Sequence, residues 1–241
     1  MYIVLLTALG VGGATVFGAI LGFIFKGAAQ RFSDITLAFS AGVMLSAAMI
    51  GLILPAIENG GVLITIVGIF VGGACINLAD KLIPRLQRCA NRPRNRSLER
   101  TLLFVSAIAI HNLPEGIAAG VGFGGTNVSD AILIASGIAL QNIPEGTVII
   151  APMLSAGIKP RTTFILALLT GLIEVVGTFI GYFAVKGSSE ILPFTLAFAG
   201  GTMLYIINDE IIPETHKEGS GSRATYALLA GFSLILLFST L

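Results

Sequence analysis

The chain has 241 residues, of which 55% are hydrophobic and only 11% charged, with a formal net charge of +1 and a mean hydropathy of +0.93. That balance excludes an ordinary water-soluble domain and places the chain in a membrane. A charge so close to zero says nothing about partners.

Eight apolar stretches of spanning length follow one another, at roughly 3–25, 35–57, 62–83, 101–122, 129–153, 161–185, 191–213 and 223–241. Each supplies the ~20 residues a helix needs to cross a ~30 Å hydrocarbon core. Helix is favoured over strand because the runs are continuous rather than alternating, and backbone groups in lipid must find partners within their own segment. The expected fold is therefore an all-α integral membrane protein of eight transmembrane helices, a single transmembrane domain over residues 1–241.

Thirteen of the fourteen basic residues fall in the odd-numbered connections: Lys26 and Arg31; Lys81, Arg85, Arg88, Arg92, Arg94, Arg96 and Arg100; Lys159 and Arg161; Lys217 and Arg223. Only Lys186 lies in an even one. This places the odd connections in the cytoplasm and both termini outside. No basic region precedes the first apolar run, which reads as a first span rather than a cleaved signal. The arginine-rich connection at about 84–100 reads as a solvated anchor touching anionic lipid, not a nucleic-acid patch. Cys75 lies in a span and Cys89 in that connection, and without a CxxC neither a disulfide framework nor a zinc knuckle is supported.

Sliding the chain by 159 residues sets LAFSAGVML, from Leu37, on LAFAGGTML, from Leu196, with Gly18, Gly22 and Gly72 on Gly177, Gly181 and Gly231. Spans one to three thus read as an inverted repeat of spans six to eight. A second offset, of 30, sets SAIAIHNLPEG on SGIALQNIPEG and relates the antiparallel central pair, spans four and five. Inverted repeats around a central pair mark a carrier with a site near the midplane.

His111, Gln141 and Glu174 each lie ten to thirteen residues from the start of their span, so at about 1.5 Å per residue all three reach mid-membrane. Helical spacing puts His111, Asn112 and Glu115 on one face, and Gln141, Asn142 and Glu145 on another. Pro114 and Pro144 remove hydrogen bonds to the carbonyls of Ile110 and Leu140, and Gly116 and Gly146 allow close helix approach. Three central acids, Glu115, Glu145 and Glu174, cost about 8 to 10 kcal/mol if bare and ionised. No Lys or Arg lies at that depth, so protons or bound cations must compensate. One imidazole among oxygens favours Zn²⁺, Fe²⁺, Mn²⁺ or their relatives in a site weaker than a structural zinc centre.

HNLPEG, QNIPEG, Glu174 and the span-seven run NDEIIPETH together resemble the ZIP (Zrt/Irt-like) divalent metal transporters, especially their bacterial GufA-type branch. The resemblance covers essentially the whole chain. It implies a binuclear centre, with His111, Glu115, Gln141 and Glu145 at one ion, and Asn112, Glu115, Asn142, Glu145 and Glu174 at the other. It further implies elevator movement of spans one, four, five and six against the rest, possible homodimers, a cytoplasmic release route through Asp209 and Glu210, and a bacterial inner-membrane location. His216 lies beyond span seven, exposed. Glu58, at the outer end of span two, is a candidate entrance residue. Two departures stand out. Many relatives carry histidine in place of Gln141, and many have a histidine-rich loop where this chain is short and arginine-rich.

The function expected is import of zinc and related ions such as cadmium, iron or manganese, with the metal as cargo and no catalytic cofactor. The alternatives are a proton-coupled carrier or channel for another cation, and an intramembrane hydrolase. The latter lacks HExxH or GxSxG.

Overall fold

The computed structural model describes residues 1–25, 32–90, 96–124, 128–186, 189–216 and 221–240, with side chains outside 83–105, 107–108, 124 and 189. The basic side chains expected at 84–100, with Lys26, Arg31, Lys217 and Cys89, lie outside these. Among the described residues every regular element is helical. In chain order they are α1 (Tyr2–Ile24), α2 (Ser33–Ser46), α3 (Leu54–Ala90), α4 (Arg96–Val121), α5 (Val128–Ser155), α6 (Pro160–Lys186), α7 (Leu192–Ile206), α8 (Ile212–Thr215) and α9 (Gly221–Phe238). Wide π turns at Ala47–Ile53 and Ile207–Ile211 join α2 to α3 and α7 to α8.

Among the described residues five stretches are long and apolar enough to cross a membrane: Tyr2–Ile24, Ser33–Leu82, Val128–Ser155, Pro160–Lys186 and Gly221–Phe238. The second has 50 residues, about 75 Å of helix and more than twice a bilayer core. Gly61 breaks it, with φ 79° and ψ 166°, a conformation only glycine adopts freely. The packing against α7 shows what the break does. Ile53 meets Gly200 and Gly60 meets Pro193, so the partner numbers fall as the chain advances. Past Gly61, Gly68 meets Ala197 and Gly73 meets Tyr205, so they rise together. The chain reverses direction there.

Lipid-facing surfaces are apolar, as at Leu63, Phe70 and Tyr226, each at least 74% exposed. With hydrocarbon outside, burial of apolar area no longer drives helices together, and close packing of small residues takes over. Many glycines press against carbonyl oxygens of neighbouring helices, among them Gly18 on Ile143, Gly22 on Thr147, Gly177 on Leu113, Gly181 on Ile117, Gly116 on Glu174 and Gly146 on Thr15. These contacts bind α1 to α5 and α4 to α6. Gly42 on Leu228 and Gly231 on Phe39 join α2 to α9, while Gly72 on Phe198 and Gly201 on Ile69 join α3 to α7. The two sequence offsets recur throughout: Gly18 and Gly177 are 159 apart, and the carbonyls they touch, Ile143 and Leu113, are 30 apart. An apolar core of Met44, Leu52, Ile134, Ile138, Met203 and Ile206 fills the space between α2, α3, α5 and α7.

Candidate metal centre

Five helices, α1, α2, α4, α5 and α6, deliver polar side chains to one buried region. The HNLPEG and QNIPEG motifs lie inside α4 and α5, whose helices continue through Pro114 and Pro144. Asn112, Glu115, Gln141, Asn142 and Glu174 are each at most 1% exposed and His111 is 8%, while Glu145 is partly buried. Gly116 lets α6 approach α4 at the Glu174 carbonyl, and Gly146 lets α1 approach α5 at the Thr15 carbonyl. A methyl group at either position would force the helices apart.

Glu174 is the hub. Its Oε1 accepts hydrogen bonds from Asn112 Nδ2 at 2.5 Å and Thr15 Oγ1 at 2.5 Å, and its Oε2 accepts one from Asn142 Nδ2 at 2.6 Å. Asn142 Nδ2 also donates to the Val11 carbonyl at 3.3 Å. Gln141 Nε2 donates to Glu115 Oε1 at 2.9 Å. Ser40 Oγ reaches both the Gln141 carbonyl and Glu145 Oε1 at 3.1 Å.

The acceptors left over matter as much as the bonds made. Asn112 Oδ1, Glu115 Oε2, Gln141 Oε1 and Asn142 Oδ1 are all buried and have no hydrogen-bond partner among the described residues. Buried acceptors are ordinarily satisfied, and each orphan costs about 1–3 kcal/mol. Four together amount to roughly 4–12 kcal/mol. A cation satisfies acceptors left without donors, whereas another acceptor would not.

The predicted residues do not all fall into one ring. His111 is paired outside its own motif: its Nε2 lies 2.7 Å from Glu210 Oε1. With Asp80 on α3, His111 and Glu210 form a second cluster whose ligand atoms lie within 4.8 Å of one another. Glu210 comes from the π turn after α7, where the widened backbone re-aims a side chain that a regular helix would direct elsewhere. Asp209, from the same turn, is exposed and stands outside this cluster. Glu58 is exposed on α3 and His216 is exposed after α8.

Sequence reasoning missed Asp80, Ser40 and Thr15. Asp80, beside Lys81, resembles an ordinary helix-end acid. Ser40 was visible as a mismatch between the repeats, standing opposite Ala199, and Thr15 is 159 residues from Glu174.

A family model described as ZIP zinc transporter matches residues 85–239. The chain belongs to the ZIP zinc transporter family. Among its ZIP relatives, the zinc transporter GufA of Myxococcus xanthus is 37% identical over 171 residues, 70% of this chain and 67% of GufA. The zinc transporter ZIPB of Bordetella bronchiseptica is 32% identical, covering 94% of this chain and 77% of ZIPB. The zinc transporter ZupT of Chlorobaculum parvum is 36% identical over 91% of this chain and 90% of ZupT.

Proposed function

We propose that this ZIP protein carries zinc and related divalent ions across a bacterial inner membrane into the cytoplasm, by alternating access to the buried centre between α1, α4, α5 and α6. The observation that carries this reading is the set of four buried acceptor oxygens without donors on Asn112, Glu115, Gln141 and Asn142. Its composition, oxygens with one histidine nearby and no thiolate, suits a borderline ion that must be released again. The divalent ion is cargo, and the resemblance to ZIP transporters implies two adjacent ions: one held by His111, Glu115, Gln141 and Glu145, the other by Asn112, Glu115, Asn142, Glu145 and Glu174.

The transporter is one domain of eight spans with both termini outside. The chain reversal at Gly61 supports two passes within Ser33–Leu82, and the sorting of basic residues supports the orientation. The recurrence of the 159 and 30 offsets in the glycine contacts supports inverted repeats around a central pair. His111, Asp80 and Glu210 form the first step of the inner release route and Asp209 a later one. Glu58 attracts cations at the outer entrance.

The test is purified protein in liposomes loaded with a metal-sensitive dye and a pH dye. Entry of zinc, cadmium or manganese is expected. Proton flux independent of metal, with no metal entry, would replace this reading by a proton-coupled carrier of another solute.

A further inference from the structure

Span one contributes no ligand to the centre, yet α1 touches it twice, one helical turn apart: the Val11 carbonyl accepts from Asn142, and the Thr15 hydroxyl donates to Glu174. We propose that Thr15 is a positioning residue of the metal centre, holding Glu174 so that Asn112 and Asn142 present their side-chain oxygens to the ion; this rests on the reading of the buried cluster as the cargo site.

The geometry runs as a chain of constraints. Thr15 is 1% exposed, so its hydroxyl has no water to turn to and is spent on Glu174 Oε1. Glu174, fixed by that bond, draws the amino group of Asn112 to Oε1 and that of Asn142 to Oε2. Asn142 has two N–H donors, and both are committed, one to Glu174 and one to Val11. An amide group whose amino side is fixed has its oxygen fixed on the opposite side. Those oxygens are two of the four orphaned acceptors. Thr15 thus acts on the ion through two intermediaries. Groups behind metal ligands typically change affinity by 10–100-fold when lost.

Placement supports the role. Thr15 and Glu174 are 159 residues apart, and Asn112 and Asn142 are 30 apart, the two offsets that also relate the glycine contacts. Four helices therefore meet around this one group of four side chains, with Gly146 on the Thr15 carbonyl and Gly116 on the Glu174 carbonyl clamping it from both sides. A displacement of α1 would reach the ligands through this hydroxyl.

The experiment compares cadmium uptake into liposomes, and cadmium binding by calorimetry, for the wild type, Thr15→Ser, Thr15→Val, Thr15→Ala and Glu115→Gln. If the hydroxyl matters, the variants sort by oxygen: Ser matches Thr, while Val and Ala each show about a tenfold rise in apparent KM and in the dissociation constant. If they sort by volume, with Val like Thr and Ser like Ala, Thr15 merely packs and the inference is overturned. Ser and Ala are both smaller than Thr, so their comparison stands even where Val disturbs folding. Wild-type behaviour of Val and Ala beside an inactive Glu115→Gln overturns the role of Thr15 alone. A wild type that neither binds nor moves cadmium overturns the carrier reading itself.

Discussion

Replacing Gly177 by alanine tests whether helix spacing sets the chemistry of the centre. A Cβ there would sit 2.6 Å from the Leu113 carbonyl oxygen, where ordinary contact begins at 3.4 Å. The α4 and α6 backbones must therefore separate by about 0.8 Å, the difference of those distances. Asn112 follows Leu113's helix and Glu174 lies one turn before Gly177, so their 2.5 Å hydrogen bond stretches to about 3.3 Å, past the range of a good charge-assisted bond. Overpacking of this kind costs about 1–3 kcal/mol in stability. Loss of one charge-assisted bond costs about another 1.5–3 kcal/mol, of which the part felt by the ion appears as roughly a tenfold or greater rise in KM. Uptake into proteoliposomes and thermal unfolding in detergent measure both effects. Gly13→Ala is the control, because nothing lies within 4 Å of its Cβ. A Gly177→Ala protein with wild-type KM, alongside an equally normal control, would refute the coupling of helix spacing to the metal centre.

Glu115→Gln and Glu145→Gln each remove a charge that no Lys or Arg at that depth replaces, and zinc flux should fall by about 100-fold or more in both; Glu58→Gln, exposed and screened, should alter at most the apparent affinity. Asp80→Asn and Glu210→Gln weaken the second cluster and should lower maximal flux several-fold with a smaller change in KM, as seen by initial rates over a range of zinc concentrations. Gly61→Ala places a side chain at φ 79° with nothing within 4 Å. It should cost about 1–3 kcal/mol of stability, read as a lower melting temperature with transport retained.

Much of this was legible because membrane physics leaves strong marks. Spanning length, the 159-residue offset and the HNLPEG and QNIPEG pair are one-dimensional signals, and two of the residues they single out, Asn112 and Asn142, hydrogen-bond to Glu174, while Gln141 bonds to Glu115. His111 shows what was not legible. On a helix its Glu115 neighbour is four residues away, yet in the structure Glu210, 99 residues distant in sequence, takes its Nε2. That choice depends on a π turn at Ile207–Ile211, and no residue pattern announces the extra backbone of such a turn. Asp80, Ser40 and Thr15 were hidden for a related reason: single polar residues on otherwise apolar helices acquire meaning only from what faces them.

The symmetry of the scaffold makes the asymmetry of its chemistry informative. The position 159 residues before Glu210 is Gly51, whose Cα packs against the side chain of Ile134, and the position 30 residues after His111 is Gln141, fully buried. One half of the scaffold therefore sets an imidazole and two carboxylates together, while the counterparts of His111 and Glu210 are a buried amide and a glycine against Ile134. A ligand shifts a conformational equilibrium only by its different affinity for the two states, so a carrier with identical halves would give its cargo no preferred side. On the proposed inward route the ion would pass from the buried centre to Glu210 and Asp80, both partly exposed, where water would compete for its coordination and weaken the hold of each carboxylate. On that route the polarity of the His111 cluster would favour departure rather than retention, while Gln141, 30 residues on from His111, stays fully buried.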